Sequence, residues 1–257
     1  MIYSMDDYYK IYYGNFFTKQ FLSYIQDVVL LQNKLVGRPS VHVLDSGCGS
    51  GFYSSYILNS PSIPAKKKVV GVDIQDWLDE KLRRHREFEF FRRDGSNTGF
   101  KSSSFDIVLS LDVLEHTEDD SAYLRECYRL LREDGVFILV TPNINRVNAV
   151  LMRLLHLTDK KFPKLIQEDI VEGKKVSHVH LREYSSKELM SKLSIFTPNI
   201  LNIPFFVGLK FPKIGFVGSY NTHLNRFVKR YTDHHFVVCS KDPSVLSSLA
   251  VRANKVV

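Results

Sequence analysis

Between residues 41 and 142 the chain alternates short apolar runs with helix-like stretches, and this alternation constrains the fold most. Val41–Asp45, Lys68–Asp73, Phe88–Phe91, Phe105–Ser110 and Val136–Thr141 read as five buried strands. A helix precedes the last of them, with Glu118, Asp119 and Asp120 expected in its first turn, where the helix dipole favours acids. Leu124, Cys127, Tyr128 and Leu131 form its apolar face, and Gly135 is expected just past its end. Strands separated by helices imply repeated βαβ units, hence a parallel sheet covered on both faces. Right-handed crossovers bring the C-terminal ends of such strands to one edge, where ligands bind. Asp45, Asp73, Asp94 and Ser110 all fall at those ends.

The flanking segments are simpler. Phe17, Phe21, Tyr24, Ile25 and Val28 make one apolar stripe at helical spacing, which should end near Gly37-Arg38-Pro39. Upstream lies an aromatic cluster, Tyr8 to Phe16, read as core-covering surface, with a lid over a bound cation as the alternative. After Pro142 the pattern is irregular, with helical fragments such as Val147–Leu157. Ser185-Ser186-Lys187-Glu188 matches a capping box and opens a helix to about Leu193. Ile200–Phe206 and His235–Ser240 return to strand character. No linker or repeat interrupts the 257 residues. The parse is a single domain: helical extension 1–38, ligand-binding half 40–142, insertion or lid 143–184, and helix with strands 185–257.

Thirty-five Lys and Arg against 28 Asp and Glu leave a formal charge of +7, which permits an acidic or nucleic-acid partner without requiring one. Cys48, Cys127 and Cys239 are too sparse for a disulfide framework or structural zinc site; they suit a reducing compartment, and no metal site is expected. The first residues lack the pattern of a secretory leader, and runs such as Val28–Leu31 and Val136–Val140 are too short to span a bilayer. A soluble, cytoplasmic chain is the expectation.

The residues Asp45-Ser46-Gly47-Cys48-Gly49-Ser50-Gly51 follow the first strand and precede a helix. Phe52 stands where a dinucleotide GxGxxG fingerprint needs its last glycine, and no GK[ST] follows, so the two common phosphate loops fail. What is written, D-x-G-x-G-x-G, resembles the first motif of the class I S-adenosylmethionine-dependent methyltransferases. Further segments are similar to that family in the same order: Asp73 ending strand two, Asp94-Gly95 ending strand three, and Ser110-Leu111-Asp112-Val113-Leu114-Glu115-His116 after strand four. Tyr123–Arg132, Asp134-Gly135 and Thr141-Pro142-Asn143 continue the likeness. His180–Ser185 resembles the branch that includes ubiquinone-type O-methyltransferases. The likeness covers roughly residues 40–195.

The resemblance implies a doubly wound, mostly parallel, seven-stranded Rossmann-like sheet with a helical insertion after strand five. It implies S-adenosylmethionine as cofactor and methyl transfer to a small-molecule acceptor, at oxygen or nitrogen. Gly47, Cys48, Gly49 and Gly51 would line its methionine end, and Asp45 would brace the loop on the ammonium side. Asp73, followed by Ile74, would accept the ribose hydroxyls; Asp94, with Gly95, would accept from the adenine amine. Ser110 and Leu111 would flank the methionine chain. Ser46 departs from the family, which usually has an apolar residue there. His180 is the candidate general base, a histidine being able to take a proton from a hydroxyl near neutral pH. Glu115 and His116 read as structural. Two alternatives stay open, a nucleic-acid methyltransferase and a non-catalytic cofactor-binding protein; oligomeric state and acceptor are not specified.

Overall fold

In the computed structural model, residues 22–63, 66–146, 150, 167–171, 174–178, 180–204, 206–209, 214–217 and 234–253 are described. The aromatic cluster, the Phe17 and Phe21 turns of the first helix, and the Val147–Leu157 segment apart from residue 150 lie outside them. Helix α1 occupies the described residues 22–36 and stops as expected: Gly37 takes φ +68° and its N–H bonds to Asn33 O at 2.8 Å, the left-handed C-terminal turn glycine permits.

The elements then run β1 (Ser40–Ser46), α2 (Phe52–Asn59), β2 (Lys66–Asp73), α3 (Glu80–Arg83), β3 (Phe88–Arg92), β4 (Phe105–Leu111), a 3₁₀ turn (Leu114–His116), α4 (Asp120–Leu130) and β5 (Leu131–Pro142). Beyond these come β6 (Gln167–Val171), β7 (Lys174–His178), α5 (Ser186–Ser194), β8 (Ile200–Pro204), β9 (Phe206–Leu209), β10 (Ile214–Val217), β11 (His234–Ser240) and α6 (Pro243–Ala253). Seven strands form one sheet in the order β3-β2-β1-β4-β5-β11-β8. The β1/β2, β2/β3, β1/β4 and β4/β5 pairs are parallel, and β11 lies antiparallel between β5 and β8. Strand order reverses between β1 and β4, so the crevice for a ligand opens at their C-terminal ends.

Side-chain alternation assigns the layers. Val41, Val43, Ile107, Leu109 and Ile138 face Ile25, Val28 and Val29 of α1, with Ile57 of α2. Leu44, Val108, Phe137 and Leu139 face Leu124 and Cys127 of α4, with Leu189 and Leu193 of α5. Every residue of β4 is buried, as a central parallel strand covered on both faces requires. At the far edge Arg38 joins Asp106 (2.5 Å) and Asp134 (2.7 Å), tying the end of α1 to the starts of β4 and β5.

Three expectations need correction. Asp119 is the N-cap of α4, accepting from the Ser121 and Ala122 N–H groups; only Asp120 sits in the first turn, and Glu118 precedes the helix. The helix ends at Leu130 and the chain enters β5 at once, so Leu131 is not on the helix and Gly135 lies inside the strand. Glycine is needed there for space: a Cβ would come within 2.8 Å of the Leu131 side chain and 3.0 Å of Asp106 O. The last expected strand divides as well, β8 stopping at Pro204 and β9 starting at Phe206, where it pairs with β10. Within the insertion the described residues 167–171 and 174–178 form the antiparallel β6/β7 hairpin. The capping box is present in part, the Ser185 hydroxyl accepting from Glu188 N–H at 3.2 Å.

Candidate functional site

The glycine loop turns on three left-handed residues, Gly47 (φ +77°), Gly49 (+52°) and Gly51 (+80°). Gly47 has a second reason to be glycine, since a Cβ would sit 2.4 Å from a Val113 methyl. At Gly49 nothing lies within 4 Å of where a Cβ would be, so the loop faces open space there. The N–H groups of Gly47 and Cys48 both donate to Val72 O, at 2.7 and 3.0 Å. Gly49 N–H donates to Asp73 Oδ2 (2.9 Å) and Gly51 N–H to Cys48 O (2.8 Å). Three of these four donors are spent on the end of β2 and the fourth within the loop. A phosphate cradle leaves such donors free for the anion. Here the crevice is edged by carboxylates, which suits a ligand carrying positive charge.

Asp45 is buried and accepts from the Ser54 hydroxyl at 2.6 Å, pinning the loop to α2. Burial pushes its carboxyl up to about 6; the Ser54 hydrogen bond opposes this and the neighbouring Asp73 charge adds to it. Asp73 accepts from Gln75 N–H at 2.9 Å as well as from Gly49, and partial burial raises it too. Each oxygen keeps a lone pair for a hydroxyl donor. Ile74 is exposed beside it. Asp94 is exposed and closes an Asx turn onto Ser96 N–H at 2.7 Å. Gly95 lets Tyr123 and Ser46 approach, a Cβ there being 2.7 and 2.9 Å from them. Ser46 thus packs against α4, and its side chain is not on the ligand side. Ser110 and Leu111 end β4, and Tyr123 donates to the Ser110 hydroxyl at 2.9 Å. The sequence placed Tyr123 only at the start of the Tyr123–Arg132 likeness; its contact with Ser110, from the buried face of α4 four residues before Cys127, is seen only in the structure.

A second group stands on the same sheet edge, at the ends of β4 and β5. Asp112 takes φ +56° as the chain leaves β4. Glu115 is fully buried; its Oε2 accepts from Thr141 Oγ1 at 2.9 Å, and burial followed by the Asp112 charge raises it well above the carboxylate range. The His116 and His180 rings meet edge to face with centroids 5.0 Å apart. His180 Nδ1 lies 3.3 Å from Glu183 Oε1, and Glu183 also pairs with Arg146. Burial works against ionisation of Glu183, but His180 and Arg146 outweigh it and hold the carboxyl low. Leu181 N–H donates to Glu115 O (2.8 Å), and Asn143 bridges to Tyr184, so residues 180–184 are clipped across the strand ends. His235 donates from Nε2 to Tyr184 O at 2.9 Å, and burial lowers its ring to about 4. Sequence reading found His180 but not Glu183, Arg146 or His235. A Glu three residues after a His is a common pattern, and nothing local ties either to Arg146.

An open cavity of 530 Å³ lies at the opposite sheet edge, among Arg38, Arg132, Asp134 and Lys241. Its cations are paired with Asp106, Asp134 and Glu133, so it carries no unspent charge comparable to the acidic crevice.

Residues 44–139, the span from the glycine loop to β5, match the methyltransferase domain family. Over 114 residues the chain is 29% identical to a probable S-adenosylmethionine-dependent methyltransferase of Mycolicibacterium smegmatis, covering 44% of this chain and 41% of that protein. Over 110 residues it is 32% identical to a ubiquinone biosynthesis O-methyltransferase of Cereibacter sphaeroides, covering 41% and 42%. Over residues 44–139 the chain thus resembles a methyltransferase domain, and the relatives aligned there are named as S-adenosylmethionine-dependent or O-methyltransferases. The match spans about two fifths of the length of these relatives. The methyltransferase domain's fold is also that of a SAM-dependent methyltransferase structure from Thermotoga maritima, at TM-score 0.54 and 16% identity, covering 91% of this chain and 98% of the other. A putative methyltransferase from Bacillus halodurans aligns at TM-score 0.53 and 14% identity, covering 84% and 95%. S-adenosylmethionine is the cofactor of such a domain, and the acceptor-lined glycine loop fits its sulfonium and ammonium charges. No described helix is long and apolar enough to cross a membrane.

Proposed function

We infer that the protein transfers the methyl group of S-adenosylmethionine to a small-molecule acceptor, at oxygen or nitrogen. The observation that carries this is the glycine loop: its N–H groups are bonded inward, Gly49 opens onto the crevice, and Asp45 and Asp73 supply negative charge beside it. Gly47, Cys48, Gly49 and Gly51 would border the methionine end, and Asp73 and Ile74 the ribose. Asp94 and Gly95 would border the adenine, with Ser110 and Leu111 along the methionine chain. The cofactor supplies an already activated methyl on sulfur. The chain's task is alignment and exclusion of water, so few residues need to take part in bond making.

The ubiquinone biosynthesis O-methyltransferase relative favours an oxygen acceptor. The described ends of the 143–184 insertion, held at the strand ends by the Asn143 and Leu181 contacts, would flank that acceptor. His180, oriented by Glu183, faces the same region. In this reading one domain does the whole reaction. Calorimetric titration with S-adenosylmethionine tests the first half, and labelled cofactor with a metabolite extract, with and without nuclease, tests the second. Absence of cofactor binding, or affinity unchanged in Asp73→Ala, defeats the reading; label only in the nuclease-sensitive fraction moves the acceptor to nucleic acid.

A further inference from the structure

Glu115, His116 and His180 come from a 3₁₀ turn and from a segment more than sixty residues later, yet one ligand atom from each lies within 4.8 Å of the others. The carboxylate is the floor of this cluster. Its Oε2 is held by Thr141, while Oε1, in a fully buried side chain, has no hydrogen-bond partner and sits 3.9 Å from His116 Nε2. The two imidazoles form the mouth, with side chains 31% and 36% exposed. A buried oxygen without a hydrogen bond has lost its water and gained nothing in return, so an atom left this way calls for a partner.

We propose that Glu115, His116 and His180 bind one divalent transition-metal ion. Two neutral imidazoles and one carboxylate are the donor set that suits Zn²⁺, Fe²⁺, Co²⁺ or Mn²⁺, whereas Mg²⁺ and Ca²⁺ prefer all-oxygen surroundings. The support around the set is also of the kind metal ligands have. Glu183, itself paired with Arg146, lies against His180 Nδ1. Donation from Nδ1–H to that carboxylate fixes the tautomer in which Nε2 carries the free lone pair. Thr141 orients Glu115 in the same way. Ligand atoms about 2 Å from a shared ion stand roughly 3.3 Å apart, so the set has only to close by side-chain rotation at the two partly exposed rings. Three protein ligands leave coordination positions open toward the mouth, where water or an acceptor oxygen completes the shell.

The site's role in acceptor binding rests on the methyltransferase reading, but ion binding itself does not. The full chain is stripped with a chelator and titrated with Zn²⁺ by calorimetry and with Co²⁺ by visible absorption. One ion per chain is expected, with tetrahedral or five-coordinate Co²⁺ bands, unaffected by millimolar Mg²⁺. His116→Ala and His180→Ala should weaken it at least about tenfold, and Glu183→Gln, which touches no metal, by about tenfold. His180 is part exposed, so its variant keeps the test valid if Glu115→Gln fails to fold. Asp73→Ala should bind the ion as the unaltered chain does. Failure of the stripped chain to bind a stoichiometric ion, or Zn²⁺ affinity unchanged in His180→Ala, overturns the proposal. Thermal shift with S-adenosylmethionine on the same samples separates the two ideas, because a cofactor response without an ion defeats this proposal alone.

Discussion

The cofactor side and the histidine side of the crevice stand on one sheet edge but are built differently. The cofactor side is backbone: three left-handed glycines, inward-turned N–H groups, and acids at the ends of successive strands. The histidine side is made of side chains that meet across long loops, Glu115 with Thr141, and His180 with Glu183 and Arg146. A backbone-built site fails when its geometry is denied. A side-chain-built site fails when one partner is removed. That contrast gives the molecule several points at which it can be tested.

The largest effect should come from Gly47→Ala. A Cβ there meets Val113 at 2.4 Å on a left-handed residue, so a loss of about 2–5 kcal/mol is expected, read as a lowered melting temperature. Gly49→Ala pays only the left-handed cost of about 1–2 kcal/mol, because its Cβ enters open space. Its main effect should be on S-adenosylmethionine affinity. Equal melting temperatures for the two variants would erase the distinction drawn between packing and ligand glycines.

pH should act on the two sides with opposite sign. Burial pushes the Asp45 carboxyl up to about 6 in the folded chain against an ordinary 3.8, so the folded state holds its proton longer. Its contribution to stability is present below about pH 4 and is lost as pH rises to about 6, by roughly 3 kcal/mol. Cofactor binding favours the ionised form, so affinity should rise across the same window; Asp45→Asn should flatten both trends. His235 is lowered from 6.5 to about 4. Its contribution is full above about 6.5 and is lost as pH falls toward 4, again by about 3 kcal/mol. In His235→Gln, chemical denaturation between pH 4 and 7 should lack that acid-side loss. A slope of the same sign in both variants would contradict these environments.

Asp73→Ala should weaken cofactor binding by about 10–100-fold, since hydrogen bonds to a charged group are worth about 1.5–3 kcal/mol. His180→Ala should leave cofactor affinity unchanged, and calorimetry on the two variants sharpens the division between the sides. An effect on stability alone is expected from Thr141→Val. It removes the one hydrogen bond to Glu115 Oε2 at a cost of about 1–3 kcal/mol, with no change in cofactor affinity. Denaturant melts of this variant that match the unaltered chain would show that Glu115 does not depend on Thr141.

What could be read in advance follows this same division. Each of the first five strands was found within a few residues, because a buried parallel strand is a short apolar run and its neighbours are helices. The glycine loop and Asp73 were legible because left-handed turns at fixed intervals admit almost no other residue. The end of α4 was misjudged, since Leu131 is apolar whether it closes a helix or opens a strand; its pairing with Phe105 of β4 puts it on the strand. Ser46, which departs from the family's usual apolar residue, packs beside Gly95 and Tyr123 in the interior, a neighbourhood that only the structure shows.

By itself the sequence determined the alternating architecture and the glycine loop with its neighbouring acids, because those rest on local periodicity and on residues whose backbone freedom is specific to them. Only the tertiary structure decided how Glu115, His116, His180, Glu183 and Arg146 are grouped. Their meeting depends on β4 and β5 ending side by side and on residues 180–184 being bonded across those ends. No spacing along the chain encodes a contact made through two strands and an insertion. For this reason the glycine-loop half of the crevice was readable as a motif, and the histidine half was not.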